Sequence, residues 1–288
     1  MTRVYLRLTL ALLAALGATF AITRAPRPVE AQAPALPPAK PASPAQLQTL
    51  TPTSLPIART WTPPDPAKIP AGPRGESILL GMRIFQETPR YAAKHVGNQV
   101  TCGNCHIQVG TLTGAMPLVG APYWFPMYSE RAKRMITLED RIQECVTRSE
   151  NGTPLPRDSA EMRALFDFFD WLGESYPADK AAPLRGLPAL SNDLKADLAR
   201  GEKIYADKCA DCHGVDGAGV PPILPPLWGP GAYNDGAGMN QPRKMAAFVL
   251  GNMPQNKPGS LTPQEAFDVS SFIASKPHSA YNHAYDIY

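Results

Sequence analysis

The chain has 288 residues, enough for two domains of ordinary size, and 44% of them are hydrophobic, enough for packed cores. Its 28 basic and 25 acidic residues leave a formal net charge of only +3, which disfavours a nucleic-acid partner. Five cysteines are an odd number, so internal disulfide bonds cannot use all of them.

The N-terminus is typical of an exported protein. Arg3 and Arg7 precede an uninterrupted apolar run at 8–22. This run is shorter than the roughly 20 residues of a membrane-spanning helix and fits a signal peptide. The clear small-x-small cleavage site at 31–33 lies well beyond it, so an uncleaved anchor stays open. We therefore predict that 1–24 is a signal peptide or an N-terminal membrane anchor and that the protein works in the periplasm.

The next segment, 25–73, holds 14 of the 33 prolines. This composition predicts a disordered, extended linker, because proline favours the polyproline conformation and the segment lacks the apolar residues of a core. The linker is either a spacer that holds the protein away from a membrane or a leader without function.

Two C-x-x-C-H motifs, at 102–106 and 209–213, match the covalent attachment pattern for c-type haem. Two thiols at this spacing reach the two vinyl groups of one porphyrin, and the adjacent histidine lies under the iron. A redox dithiol or half of a zinc site is the alternative for a single C-x-x-C, but neither motif has a second C-x-x-C nearby. We therefore expect two covalently bound c-type haems. Their thioether cysteines are Cys102, Cys105, Cys209 and Cys212, and their proximal histidines are His106 and His213.

The sequences after the two motifs repeat. A Pro-Leu-x-Gly segment at 117–120 follows His106, and another at 226–229 follows His213 at nearly the same separation. A carbonyl in such a segment is expected to accept the second ring N–H of the proximal histidine and so fix its tautomer.

Each half ends in a predicted helix with a start signal. Asp158 and Glu161 form the pattern of a capping box in the first half, and Thr262 and Glu265 do so in the second. The chain is therefore predicted to be mainly α-helical, with two tandem cytochrome c-type domains after the exported, proline-rich segment. We place these domains at 74–184 and 185–288.

Met253 follows the second motif and lies just past a helix predicted from about 242 to 251. A methionine there would complete His/Met coordination of the second haem and raise its reduction potential, which suits electron export. Met239, which lies between His213 and Met253, is the reserve candidate, and a loop methionine packed in the core is the alternative.

Cys145, the fifth cysteine, occupies the matching place in the first half. Its separation from His106 equals that of Met253 from His213 to within one position. Thr137 as a cap and Gly152 as a terminator predict a helix over about 138–150 that carries it. We predict that Cys145 is an iron ligand or a reactive thiol. The alternatives are a buried structural thiol, an intermolecular disulfide, or ligation of the first haem by Met127, Met135 or His95.

Three side chains share the predicted helical face of Cys145: Arg141 four residues before it, Arg148 three after it and Ser149 four after it. Two guanidinium groups would lower the pKa of the thiol and favour the thiolate. They could also bind an anionic substrate. The alternative for both arginines is ordinary surface pairing with the glutamates that neighbour them.

Together these residues resemble the dihaem thiosulfate dehydrogenases that form tetrathionate. The resemblance covers about 75–277. Its most specific part is 136–152, because C-x-x-C-H alone marks any c-type cytochrome. It also includes 117–120, 236–239 and 252–254.

The resemblance implies a division of labour in which the first haem is catalytic and the second transfers electrons outward. The implied iron ligands are His106 and Cys145 at the first haem and His213 and Met253 at the second. The implied pocket residues are Ser149 with the nearby Arg141 and Arg148. Some members have a lysine before the methionine as a competing ligand. Because this chain has Asn252 there, we expect no exchange of lysine for methionine.

The expected reaction joins two thiosulfates into tetrathionate and passes two electrons to a redox partner such as another c-type cytochrome. As a hypothesis, Cys145 bonds to the first thiosulfate, and the second thiosulfate attacks that adduct. One alternative is a non-enzymatic dihaem electron carrier of the periplasm, although a carrier gains nothing from a labile thiolate ligand. The others are a sulfur-oxidation cytochrome subunit and a dihaem peroxidase, which would want an open or histidine-capped haem.

Overall fold

The computed structural model describes residues 64–174 and 186–287. The predicted leader or anchor, nearly all of the linker and the predicted domain boundary at 184/185 lie outside the described residues. In the described ranges, no helix combines the length and the apolar character that a membrane crossing needs.

The first half contains three longer helices, α1 (Pro73–Gln86), α2 (Leu138–Glu144) and α3 (Ala160–Gly173). A two-stranded antiparallel hairpin, β1 (Met127–Ser129) and β2 (Arg134–Ile136), precedes α2. Short helical turns connect these elements at Pro66–Lys68, Thr88–Tyr91, Cys102–Cys105, Ile107–Gly110 and Ala121–Trp124.

The second half contains α4 (Leu198–Lys208), α5 (Pro242–Asn252) and α6 (Pro263–Ala274). The capping box predicted for α6 is confirmed, since the Thr262 side chain accepts from the Glu265 amide and the Glu265 carboxylate accepts from the Thr262 amide. Shorter turns lie at Ala210–His213, Gly238–Asn240 and His283–Tyr285.

The same helix crossing is built in both halves. A Cβ at Gly81 of α1 would lie 2.0 Å from the backbone oxygen of Ala164 in α3. A Cβ at Gly201 of α4 would lie 2.2 Å from the backbone oxygen of Asp268 in α6. Glycine therefore lets the first and last helices of each half cross at close range. This repetition confirms the predicted, mainly α-helical architecture.

Helix α3 begins one residue later than its capping pattern predicts. Its N-cap is Ser159, whose hydroxyl accepts from the Met162 amide at 3.1 Å, so Asp158 is not the cap. The amphipathic face is as expected, since the predicted apolar positions from Leu165 to Leu172 are buried against α1. Phe168 packs on Phe85 with ring centroids 5.5 Å apart.

The two halves share a packed interface. Ile107, Leu112 and Ala115, from the loop after the first C-x-x-C-H motif, are buried in the hydrophobic core of the second half. The amide of Asn252 in α5 donates to the Gly114 oxygen of the same loop at 3.1 Å. The segment that follows the first motif is therefore held by the second half.

Candidate catalytic site in the first half

The first motif is shaped by a local capping box. Thr101 caps the short turn Cys102–Cys105, and its hydroxyl accepts from the Asn104 amide at 3.2 Å. The Asn104 side chain in turn accepts from the Thr101 amide at 2.8 Å. This turn fixes the spacing of Cys102 and Cys105 that thioether attachment requires.

Each motif histidine is bonded through Nδ1 to a backbone oxygen. His106 lies 2.6 Å from the oxygen of Met116, and His213 lies 3.1 Å from that of Pro225. Each acceptor is the residue immediately before its predicted Pro-Leu-x-Gly segment, so the prediction was one residue too late. Burial lowers the pKa of both imidazoles, which favours the neutral form that binds metals. This bond leaves Nε2 as the ring nitrogen that can bind iron.

A cavity joins the first motif to the segment of the fifth cysteine. Cys102, Cys105 and His106 line it together with Cys145. Its walls are largely apolar, with side chains such as Phe85, Leu118, Ile142 and Phe169. Two thiols, a neutral imidazole and a third sulfur in an apolar enclosure fit a covalently attached haem.

The fifth cysteine stands where the helix changes type. Thr137 caps α2 as predicted, but the α-helix ends at Glu144 and the chain continues as a π-helical turn, Cys145–Ser149. The Glu150 amide donates to the Cys145 oxygen at 3.0 Å, the wider i to i+5 pattern. This corrects the prediction of one regular helix to residue 150. The wider turn also changes which side chains share a face.

Two of the three predicted neighbours of Cys145 reach the cavity. Arg141 and Ser149 line it with Cys145. Arg148 does not, which corrects the shared face predicted for it. Its guanidinium instead contacts the second half, 2.5 Å from Asp286 Oδ1 and 3.8 Å above the Tyr281 ring. The π-helical turn carries the i+3 side chain away from the cavity and into the interface.

Replacing Asp286 with asparagine is expected to lower the free energy of unfolding by about 1–3 kcal/mol, because buried Arg148 loses its counter-charge. Burial opposes ionisation, but the hydrogen bond from His283 and the charge of Arg148 hold the pKa of Asp286 below its ordinary value. The stabilisation is therefore present above about pH 4 and is lost as the pH falls below it. Denaturant unfolding across this pH range measures both effects.

Asp170→Asn is the matched control, because it removes an exposed partner of Arg74, 3.2 Å away. We expect this exposed pair to contribute less than about 0.5 kcal/mol. Equal losses of stability in the two asparagine variants would contradict a special role for the interface pair.

The pKa of the Cys145 thiol is raised to about 11, chiefly by burial. Arg141 and Arg131 oppose this shift, whereas Glu150 and Glu144 add to it. This corrects the expectation that Arg141 and Arg148 together lower the pKa. A bound metal ion is what favours the thiolate in such a setting.

A compact ion cluster lies beside Cys145. Glu144 is buried, with Oε2 at 2.7 Å from Arg141 Nη1 and Oε1 at 3.8 Å from Arg131 Nη1. Arg131 comes from the turn of the β1–β2 hairpin, and no spacing in the sequence relates it to Cys145. The predicted surface pairing of Arg141 with Glu144 thus exists, but it is made to a buried carboxylate beside the cavity.

The alternative ligands for the first haem are placed differently from one another. His95 lines the cavity, whereas Met127 and Met135 lie in the hairpin and are not among the residues of its wall. At the second motif, Cys209 and Met253 pack against one apolar cluster. The reserve candidate Met239 is buried in that same cluster.

Comparison with known proteins gives one family match for each half. The family described as SoxA/TsdA, cytochrome c domain, matches residues 88–170, and the cytochrome c family matches residues 198–276. Each match encloses one C-x-x-C-H motif. The predictions of two cytochrome c domains and two c-type haems are therefore confirmed.

Thiosulfate dehydrogenases are similar along most of the chain. That of Allochromatium vinosum is 38% identical over 252 residues, covering 78% of this chain and 93% of the relative. That of Thiomonas intermedia is 39% identical over 218 residues, covering 74% and 69%. The solved thiosulfate dehydrogenase TsdBA from Marichromatium purpuratum has a TM-score of 0.70 and 38% identity over 74% of this chain. The chain spans about half, 48%, of the length of that solved chain.

Proposed function

Because the chain belongs to the thiosulfate dehydrogenase family, we propose that it oxidises two thiosulfates to tetrathionate at the first haem. The observation that carries this proposal is the single cavity lined by Cys102, Cys105, His106 and Cys145, with the arginine cluster beside it. A plain electron carrier needs neither a labile sulfur nor fixed positive charge at its haem.

The proposed ligand sets follow from the residues around each motif. His106 and Cys145 hold the first haem, and His213 and Met253 hold the second. When bound, the two haems each accept one electron, so together they take up the two electrons of the reaction. Cys145 and His106 are suited to this role because both face the cavity.

Fixed positive charge is needed because thiosulfate is a dianion and two of them must meet in a partly dry site. Arg141 lines the cavity, and Arg131 shares its buried partner Glu144. Ser149 lines the cavity next to them and can donate a hydrogen bond to a sulfonate oxygen. These groups hold and orient the substrate in the proposed mechanism.

The proposed sulfur chemistry has two steps. The Cys145 thiolate bonds to the outer sulfur of the first thiosulfate, which releases two electrons and leaves a cysteine–sulfur–sulfonate adduct. The outer sulfur of the second thiosulfate then attacks the same sulfur of the adduct. Tetrathionate leaves, and the Cys145 thiolate is regenerated without any net proton transfer.

Electrons are proposed to leave through the second haem to a c-type cytochrome in the periplasm. His/Met ligation by His213 and Met253 gives the higher potential that suits this direction. Asn252, next to Met253, is a buried neutral amide bonded to the oxygens of Gly114 and Phe248. It supports the expectation that no second side chain competes with Met253.

The holoprotein tests this function in a thiosulfate-dependent reduction of ferricyanide, with tetrathionate measured by ion chromatography. We expect one tetrathionate for every two thiosulfates consumed and two ferricyanides reduced. Two redox-active haems that thiosulfate does not reduce would instead identify a dihaem electron carrier.

A further inference from the structure

Lys244 belongs to the second half but lies close to the ion cluster of the first. The Gly238–Asn240 turn, just before α5, contacts the π-helical turn Cys145–Ser149. Lys244 stands in the first turn of α5, and its Cδ is 3.9 Å from the position of a Cβ on Gly238. The packing of these two turns therefore brings its ammonium toward Cys145.

The charges around Lys244 identify what it faces. Burial lowers its pKa, the charges of Arg131 and Arg141 lower it further, and Glu144 opposes the shift. Glu144 is the carboxylate that both arginines already contact. Glu150, the other carboxyl group near Cys145, lies 3.2 Å from the Cys102 sulfur instead.

Three cations therefore surround one carboxylate. Arg131, Arg141 and Lys244 with Glu144 give this cluster a net charge of +2 beside the cavity. Neither half alone provides this charge, because Lys244 is the contribution of α5. A charge of +2 complements a dianion and exceeds what a monovalent anion needs.

We propose that Lys244 is a specificity-determining residue that completes, from the second half, a subsite for divalent sulfur oxoanions at the first-half cavity. The proposal rests on the proposed function and deepens it, because it makes the site a product of both halves. It also assigns a role to a residue that neither haem attachment nor haem ligation requires.

Lys244→Met tests the proposal, with Lys203→Met as the matched control that makes the same charge change on the exposed surface of α4. The first readout is the KM for thiosulfate. The second is the dissociation constant of inorganic sulfate, measured by calorimetry on the oxidised holoprotein without turnover. Removing one cation from a partly exposed site is expected to weaken both about five- to tenfold.

The expected pattern is specific to charge and position. In Lys244→Met the loss falls on KM more than on kcat, and nitrate binding changes less than sulfate binding. Lys244→Arg restores sulfate binding, and Lys203→Met leaves it unchanged. Unaltered sulfate binding in Lys244→Met, or equal losses in both methionine variants, would overturn the proposal. Absence of thiosulfate turnover in the unmodified protein would overturn the proposed function, whereas the sulfate measurements would still decide the role of Lys244.

Discussion

Replacing Cys145 with methionine is expected to abolish thiosulfate oxidation while both haems remain attached. Methionine offers the iron a thioether, so it can keep the first haem coordinated. It cannot form a sulfur–sulfur adduct with thiosulfate, because its sulfur already carries two carbon substituents. We expect turnover to fall by at least about 10³-fold, the size of effect seen when a covalent nucleophile is removed.

The measurement is the turnover number of Cys145→Met in the ferricyanide assay, together with the haem content and the melting temperature of the same preparation. Cys145→His is the companion variant, because it supplies a nitrogen ligand and also lacks the nucleophile. Both variants are expected to be inactive. Full turnover in either variant, with two haems bound, would contradict a covalent role for this sulfur.

Replacing Arg141 with glutamine is expected to reduce kcat/KM for thiosulfate by about 10²-fold. Arg141 is the arginine that both lines the cavity and contacts Glu144, so its loss removes positive charge at the place where two dianions must meet. Arg141→Lys keeps the charge but loses the planar fork, and it is expected to recover part of the rate.

The control for Arg141 is Arg157→Gln, which removes an arginine from the same region of the chain. Arg157 pairs with Asp140 and is not among the residues that line the cavity. We expect its kinetics to stay within about twofold of the unmodified protein, because exposed pairs contribute little. Equal kinetic losses in the two glutamine variants would show that Arg141 acts through the fold and not on the substrate.

The sequence predicts best those features that are set by neighbours in the chain. The capping boxes at Thr137 and Thr262 bring together residues three positions apart, and both are present. The haem-attachment turn is equally local, since Thr101 and Asn104 shape it. The resemblance to a known family adds the role of Cys145, which spacing alone leaves open.

Features that depend on tertiary contacts escape such prediction. The change to a π-helical turn at Cys145 is a shift of one hydrogen-bond register, and no residue type specifies it. Arg148 finds its partner Asp286, 138 residues away, in the C-terminal segment. Arg131 reaches Glu144 because a hairpin folds back before α2. These three contacts separate the observed site from the helical face drawn from spacing.

The central claim is that the Cys145 sulfur coordinates the first haem, and electron paramagnetic resonance of the oxidised holoprotein tests it most directly. The account predicts two low-spin haem signals, one of them with the signature of thiolate ligation that disappears in Cys145→Met. A first haem with nitrogen or thioether ligation in the unmodified protein would contradict the account.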